Sequence, residues 1–271
     1  MLVSVPTHAC ADLCAERTPV VPALTATVGV CTDSSSQFPP ELAERLGIEV
    51  VPLTVTVDDI DRLDGVEFGA DDYYASLRSM PLPECAVAAP SPGQFALAYE
   101  TLLDRGCTSI VSIHGPRFNV LHAARLGAHS TPAPVRLVET GVSGFCMVAT
   151  TWAAAEMAAA GASLDEITGV PDLLADRAGC FDLCAVPVRG DGAVHQLNSV
   201  AATVVAWGDG LRVGVGHSDT ASESVADALE AAVAEAASVI EVVRFRLGPT
   251  AGEHATRGRA ACVVFSPPTM P

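Results

Sequence analysis

The regular part of the chain opens with an alternation that few folds can accommodate. An aliphatic run, TATVGV, ends at Cys31 and empties into a polar loop, TDSSSQFPP. Pro39 and Pro40 start a helix, PELAERLG, which Gly47 closes, and a second aliphatic run, IEVVPLTVTV, follows. Proline in the first turn and glycine just past the last are the expected bounds of a helix. Two continuously apolar strands joined through a helix form the unit of a parallel sheet, because both faces of each strand must be covered. The unit recurs. ALAYETLLDRG reads as a helix before the strand TSIVSI, and NVLHAARLGAH as a helix before the strand VRLVET.

The remaining segments extend this α/β pattern. DDIDRLDGVEF reads as an acidic, turn-rich excursion, DDYYASLRSM as a short helix, and AAPSPGQF as a Pro/Gly loop. SGFCMVATTWAAAEMAAAG is apolar nearly all round and too short to span a bilayer, which predicts a helix buried between two layers. SLDEITGVPDLLADRAG is an amphipathic passage towards a second domain. Beyond it the segments shorten. FDLCAVPV, the apolar run near 200–206 and LRVGVG read as strands, SESVADALEAAVAEAASVIEVV as one long acidic helix, and ACVVF as a last strand. The predicted organisation is an extension over 1–26, a parallel α/β domain over 27–165 and a smaller α/β domain over 166–271. A chain of 271 residues, 49% of them hydrophobic, can bury two modest cores.

Charge narrows the partners. The net charge is −17, and all 15 basic residues are arginine. So acidic a surface repels phosphate backbones and anionic leaflets, so nucleic-acid binding and stable membrane insertion are not expected. Nine cysteines, most of them inside apolar runs such as VGVC and ACVVF, read as buried, reduced thiols. The first residues, MLVSVPTHACADLC, lack the uniform apolar core of a secretory leader, which points to the cytoplasm. Cys10-x3-Cys14 and Cys180-x3-Cys184 have the wrong spacing for zinc, so neither a metal nor a cofactor is expected.

Several chemistries are excluded by the motifs. The loop after the first strand contains no glycine fingerprint for a dinucleotide. Without lysine there is no phosphate loop, and no Gly-x-Ser-x-Gly elbow exists. The TDSSS loop nevertheless sits where open α/β sheets bind ligands, at the carboxyl end of a strand. Asp33 and Ser34 are therefore candidate ligand contacts, and capping the loop and its helix is their other use. HGPRFN follows a strand of the same sheet and brings His114, Arg117 and Asn119 to the same edge, with Arg117 suited to holding a carboxylate. Ser91, in the turn before a helix, and His254, in a late Gly-rich loop, complete the candidates. A hydrolytic set of Ser34, His254 and Asp33 can be written down, but no nucleophile turn supports it, and the chain is read as a binding protein and not an enzyme.

The order of the pieces resembles the DegV family. TVGVCTDSSSQFPPELAERLGIEVVPLTVTVD, LDGVEFGADDYYASL, APSPGQFALAYETLLDRGCTSIVSIH and VRLVETGVSG carry the likeness over residues 27–165, and LGPTAGEHATRG carries it near the end. The resemblance implies a doubly wound parallel-sheet first domain, a smaller second domain and a ligand cleft between them. It implies a fatty acid or similar lipid-like acid as ligand, held in an apolar tunnel and presented to a fatty-acid kinase; the chain itself is read as a monomer. Asp33, Ser34, Asp64, Gly65, Pro90, Ser91, Pro92, Gly93 and His254 stand at matching motif positions. Val87-Ala88 takes the place of the family's hydroxyl-bearing Thr-Ser, and Arg117, Phe118 and Asn119 that of its Ser-Gly-Thr loop. Arg117 with His254 is accordingly expected to replace the lost hydroxyls. The alternative is a divergent regulatory or interaction module that no longer hands over acyl groups, or one that binds another small molecule.

Overall fold

The computed structural model describes residues 27–78, 84–184, 210–234, 239–251 and 257–268, together with 200, 202, 206 and 207. Residues 1–26 and His254 lie outside the described residues. The first sheet has four strands, β1 (Val28–Asp33), β2 (Ile48–Val51), β6 (Ser109–His114) and β7 (Val135–Glu139), in the order β2-β1-β6-β7 and all parallel. Successive strands spread outwards from β1 in one direction and from β6 in the other. The loops leaving β1 and β6 therefore part at a topological switch point, where such sheets form a crevice.

Helices cover both faces, as continuously apolar strands require. On one face α3 (Pro92–Asp104) and α4 (Val120–Ala128) bury Phe95, Tyr99, Leu102 and Ala124 against Cys31 and Ile110. These two helices approach closely at Gly127, where an added Cβ would fall 2.7 Å from the Pro92 carbonyl. On the other face lie α1 (Pro40–Leu46), which ends at Gly47 with φ 67°, and α5 (Val148–Ala159). Two short helices, α6 (Leu164–Thr168) and α7 (Val170–Leu174), pack on α5, and α6 also touches β6 and β7.

The second sheet contains β8 (Ala178–Cys184), β9 (Leu211–His217), β10 (Val239–Arg246) and β11 (Arg259–Phe265), in the order β10-β9-β11-β8. β10 runs parallel to β9, and β11 is antiparallel to both β9 and β8. Strand alternation explains how this sheet serves two cores. Ala260, Cys262 and Val264 face α8 (Thr220–Ala234), while Ala261, Val263 and Phe265 face α5. Trp152 of α5 meets Phe265 with ring centroids 5.5 Å apart. The apolar helix is thus sandwiched between the two sheets, as its all-round hydrophobicity indicates.

Three expectations need correction. The run IEVVPLTVTV is not one strand. It breaks at Pro52, and β3 (Thr54–Val57) joins a separate antiparallel sheet with β4 (Ile60–Leu63) and β5 (Cys85–Ala88). Proline has no N–H for a ladder, so a strand changes partner there. Asp58 and Asp59, with φ of 50° and 60°, make the tight hairpin turn between β3 and β4 inside the expected acidic excursion. α2 (Ala70–Ser76) follows. Near 200–206, residues 200, 202 and 206 are helical, and Val200 packs beside Trp207 on the outer core of the second sheet. The run VIEVV belongs to β10 and not to the preceding acidic helix, which ends as α8 at Ala234.

The cysteines bring a fourth correction. Cys146, just before α5, and Cys180, in β8, form a disulfide with Cα atoms 5.5 Å apart. It staples the entry of α5 to the edge strand of the second sheet. Thirty-four residues separate the pair, so no local spacing announced it. Cys31, Cys107 and Cys262 are free and buried, and Cys85 is free and exposed.

Candidate ligand-binding site

The switch point is closed by a buried hydrogen-bonded chain. Asp33 ends β1 and His114 ends β6, and neither is exposed. Nδ1 of His114 lies 2.7 Å from Oδ2 of Asp33, and Nε2 lies 2.7 Å from Oγ of Ser112. The carboxylate can only accept, so Nδ1 carries a proton towards Asp33. Tyr99 donates to Ser112 Oγ at 2.9 Å. The other carboxylate oxygen of Asp33 accepts from the Ser35 backbone N–H at 3.1 Å and from the Ser35 hydroxyl. The order Ser–His–Asp imitates a nucleophilic triad, but Ser112 is fully buried and no substrate reaches it. The chain serves to tie the two exit loops together. The HGPRFN segment, which the sequence brings to the edge of TDSSS, thus meets that loop through His114.

Asp33 thus faces inwards, while Ser34 faces a large cleft. Ser34 Oγ accepts from the Leu53 N–H at 3.0 Å and also bonds Asp64. The Ser34 carbonyl accepts from the Gln37 side chain at 2.7 Å. The late loop Gly248–Ala251 joins them. Gly248 N–H donates to Gln37 Oε1, Gln37 Nε2 donates to Thr250 Oγ1 at 2.7 Å, and Thr250 donates to Asp64 at 2.5 Å. One polar knot therefore holds the loop after β1, the turn after β4 and the turn after β10. Burial pushes the Asp64 carboxyl up to about 6; bonds from Thr250 and Ser34 pull it down, and the charge of Asp33 pushes it further up.

The knot forms one end of a cleft of about 940 Å³. That volume lies near the top of the range of roughly 300–1,000 Å³ in which small-molecule sites fall. Its floor is Val28 and Val30 of β1 with Ile48 and Val50 of β2, and its walls are α1 and the last turns of α5, through Ala155, Ala158 and Ala159. A helix returning to a parallel sheet runs against the strands. The end of α5 accordingly lies at the amino ends of the strands, opposite the knot. The cleft has a polar end at Ser34, Gln37, Asp64 and Gly248, an apolar floor leading away from it, and the paired charges of Glu49 and Arg105 at its far end.

The other expected site residues lie elsewhere. Ser91 is exposed and caps α3, accepting from the Gln94 N–H at 3.3 Å. Arg117 is exposed, with its guanidinium 5.3 Å from the centre of the neighbouring Phe118 ring. Asn119 is exposed at the start of α4 with φ 56°, and its side chain makes no cap bond. None of these three lines the cleft. Gln37 and Thr250 are not singled out by the sequence; they lie inside TDSSSQFPP and LGPTAGEHATRG, and only the fold brings their side chains together. Among the described residues no cluster of His, Cys, Asp and Glu could hold a metal ion.

A family model described as "uncharacterised protein, DegV family" matches residues 27–179. The chain belongs to the DegV family. A DegV domain-containing protein of Streptococcus pyogenes serotype M6 is 39% identical over 145 residues, which cover 52% of this chain and 51% of that protein. One of Streptomyces coelicolor is 34% identical over 141 residues, covering 51% and 50%. The match thus spans about half the length of the curated relatives. Solved DegV structures agree over far more of the chain. DegV of Bacillus subtilis, described as a fatty acid binding protein, superposes with a TM-score of 0.74 at 17% identity, covering 89% of this chain and 100% of that one. A DegV protein of Thermus thermophilus, described by its fatty acid binding, gives 0.72 at 20% identity and covers 89% and 99%. A stearic acid-binding protein of Eubacterium ventriosum gives 0.68 at 15% identity, covering 88% and 98%. At these identities the likeness is one of fold, and it extends through the second sheet, where the family model does not reach. No helix among the described residues is long and apolar enough to cross a membrane.

Proposed function

We propose that this DegV protein binds a fatty acid, or a similar lipid-like carboxylate, with its acyl chain along the floor of the cleft and its carboxylate at the Ser34–Asp64–Gly248 end. The observation that carries the reading is the cleft itself: about 940 Å³, floored by Val28, Val30, Ile48 and Val50, with the hydrogen-bonding groups of Ser34, Asp64 and Gly248 at one end. Each buried methylene contributes about 0.8 kcal/mol. A dozen of them supply on the order of 10 kcal/mol before the costs of ordering and association are subtracted. Chain burial then dominates affinity, and the polar end selects for an acid. Relatives of the same fold described as fatty acid binding support the choice of ligand.

Handing the bound acid to a fatty-acid kinase, acting as a monomer and working in the cytoplasm are parts of the same proposal. The free thiols of Cys31, Cys85, Cys107 and Cys262 suit a reducing compartment, in which the Cys146–Cys180 bridge is the element that would open. A second reading keeps ligand binding and drops the handover. It is favoured by Val87 and Ala88 in β5, which offer no hydroxyl. Native mass spectrometry of the purified protein, before and after adding a saturated straight-chain acid, tests the binding claim. One acid per chain is expected, and a spectrum unchanged by a large excess of acid overturns it. A cognate kinase with ATP then separates the two readings by whether acyl phosphate forms.

A further inference from the structure

We propose that Arg246 takes the carboxylate of the ligand by exchanging it for Asp71. The inference rests on the carrier reading above and names the group that makes the site prefer an acid to an alcohol. Four arginines line the cleft: Arg45, Arg105, Arg244 and Arg246. Arg105 pairs with Glu49 at 2.8 Å beyond the end of α3, at the far end of the cleft from Ser34. Arg45 pairs with Glu241, and Arg244 is held by both Asp227 and Glu230 of α8. Glu49 and Glu241 are partly buried, and Arg244 has two carboxylates at once.

Arg246 is placed differently. It ends β10 two residues before Gly248, whose N–H is fastened to Gln37, so it stands beside the polar knot. The carboxylate it pairs with is Asp71, in the first turn of α2, with a side chain 91% exposed. An ion pair to so exposed a partner is worth little. The other contact of Arg246 is His217, with Nη1 donating to Nδ1 at 3.1 Å. Burial, with the charges of Arg246 and Arg244, holds His217 towards its neutral form, so it does not compete as a cation. Gly69 and Ala70, directly before Asp71, line the cleft mouth. A carboxylate arriving there meets a planar fork of donors whose present partner sits in water. Inside the cleft the same fork makes a charge-assisted bond that is shielded from solvent and therefore stronger. Arg117, by contrast, lies outside the cleft.

The test compares dissociation constants for a straight-chain fatty acid and the alcohol of equal length, in the full chain and in Arg246→Gln, Arg246→Lys and Asp71→Asn. Arg246→Gln is expected to weaken the acid about ten-fold or more and the alcohol less than about two-fold. Arg246→Lys should recover part of the loss, since it restores the charge and not the fork. Asp71→Asn should tighten the acid about two- to five-fold by removing its competitor. Retained alcohol binding shows that each variant is folded. Equal losses of acid and alcohol in Arg246→Gln, or a weaker acid in Asp71→Asn, overturn the assignment alone. A wild-type chain that binds neither compound overturns the assignment and the carrier reading together.

Discussion

Replacing Asp64 with asparagine should stabilise the ligand-free protein at alkaline pH and do so much less at acid pH. Asp64 is 5% exposed, and burial raises its carboxyl from 3.8 to about 6. The folded state therefore holds the proton more tightly than the unfolded chain. Below about pH 4 both states are protonated, and the contribution of Asp64 to stability is fully present. It is lost as pH rises through about 6, because the folded state must then carry a buried charge. A shift of that size amounts to about 3 kcal/mol. Asparagine never ionises, and its amide oxygen can still accept from Thr250 while its amide group faces Ser34. Urea unfolding of wild type and Asp64→Asn, measured from about pH 4 to pH 8, should give a stability difference that grows by about 2–3 kcal/mol in favour of the variant, offset at every pH by about 1 kcal/mol of weakened hydrogen bonding. A difference that stays constant over this range would refute the claim that Asp64 is buried and uphill of its charge.

Three further outcomes follow from the fold. Cys180→Ser, or reduction of the wild type, should cost about 2–4 kcal/mol in urea unfolding by freeing the loop that the Cys146–Cys180 bridge closes; an unchanged midpoint would show that the bridge is not formed. Ala159→Trp, placed at the end of the cleft far from Ser34 on an exposed position of α5, should shorten the longest acid bound without weakening shorter ones, read from a chain-length series of dissociation constants. Arg117→Ala should leave acid affinity within about two-fold, because its guanidinium rests on Phe118 at the surface; a ten-fold loss would return the head-group role to Arg117.

How far the sequence could be read depended on whether a signal was local. β1, α1 and Gly47 were legible because apolar runs, helix-starting prolines and a closing glycine lie within a few residues of one another. The sandwiched α5 was legible because its hydrophobicity has no polar side. The Pro52 break was visible as a residue but not as a change of sheet, since pairing depends on β4 and β5. The same limit applies at the site. Ser34 could be nominated from its place after a strand. The knot of Gln37, Asp64 and Thr250 joins residues 186 and 213 positions apart, which no spacing rule reaches. Arg117 was chosen as a cation on the right edge of the sheet, whereas Arg246 comes from a strand of the other sheet and depends on how β10 lies along the cleft.

In the proposed complex the cleft between β1, β2, α1 and α5 takes an acyl chain with its carboxylate towards Ser34 and Arg246. A crystal structure of the protein grown with a saturated long-chain acid tests it most directly. Continuous chain density is expected over Val28, Val30, Ala155 and Ala158, ending in a carboxylate within hydrogen-bond distance of the Arg246 guanidinium. A bound chain lying elsewhere, or one seated in this cleft with its carboxylate at the Ala159 end, would contradict it.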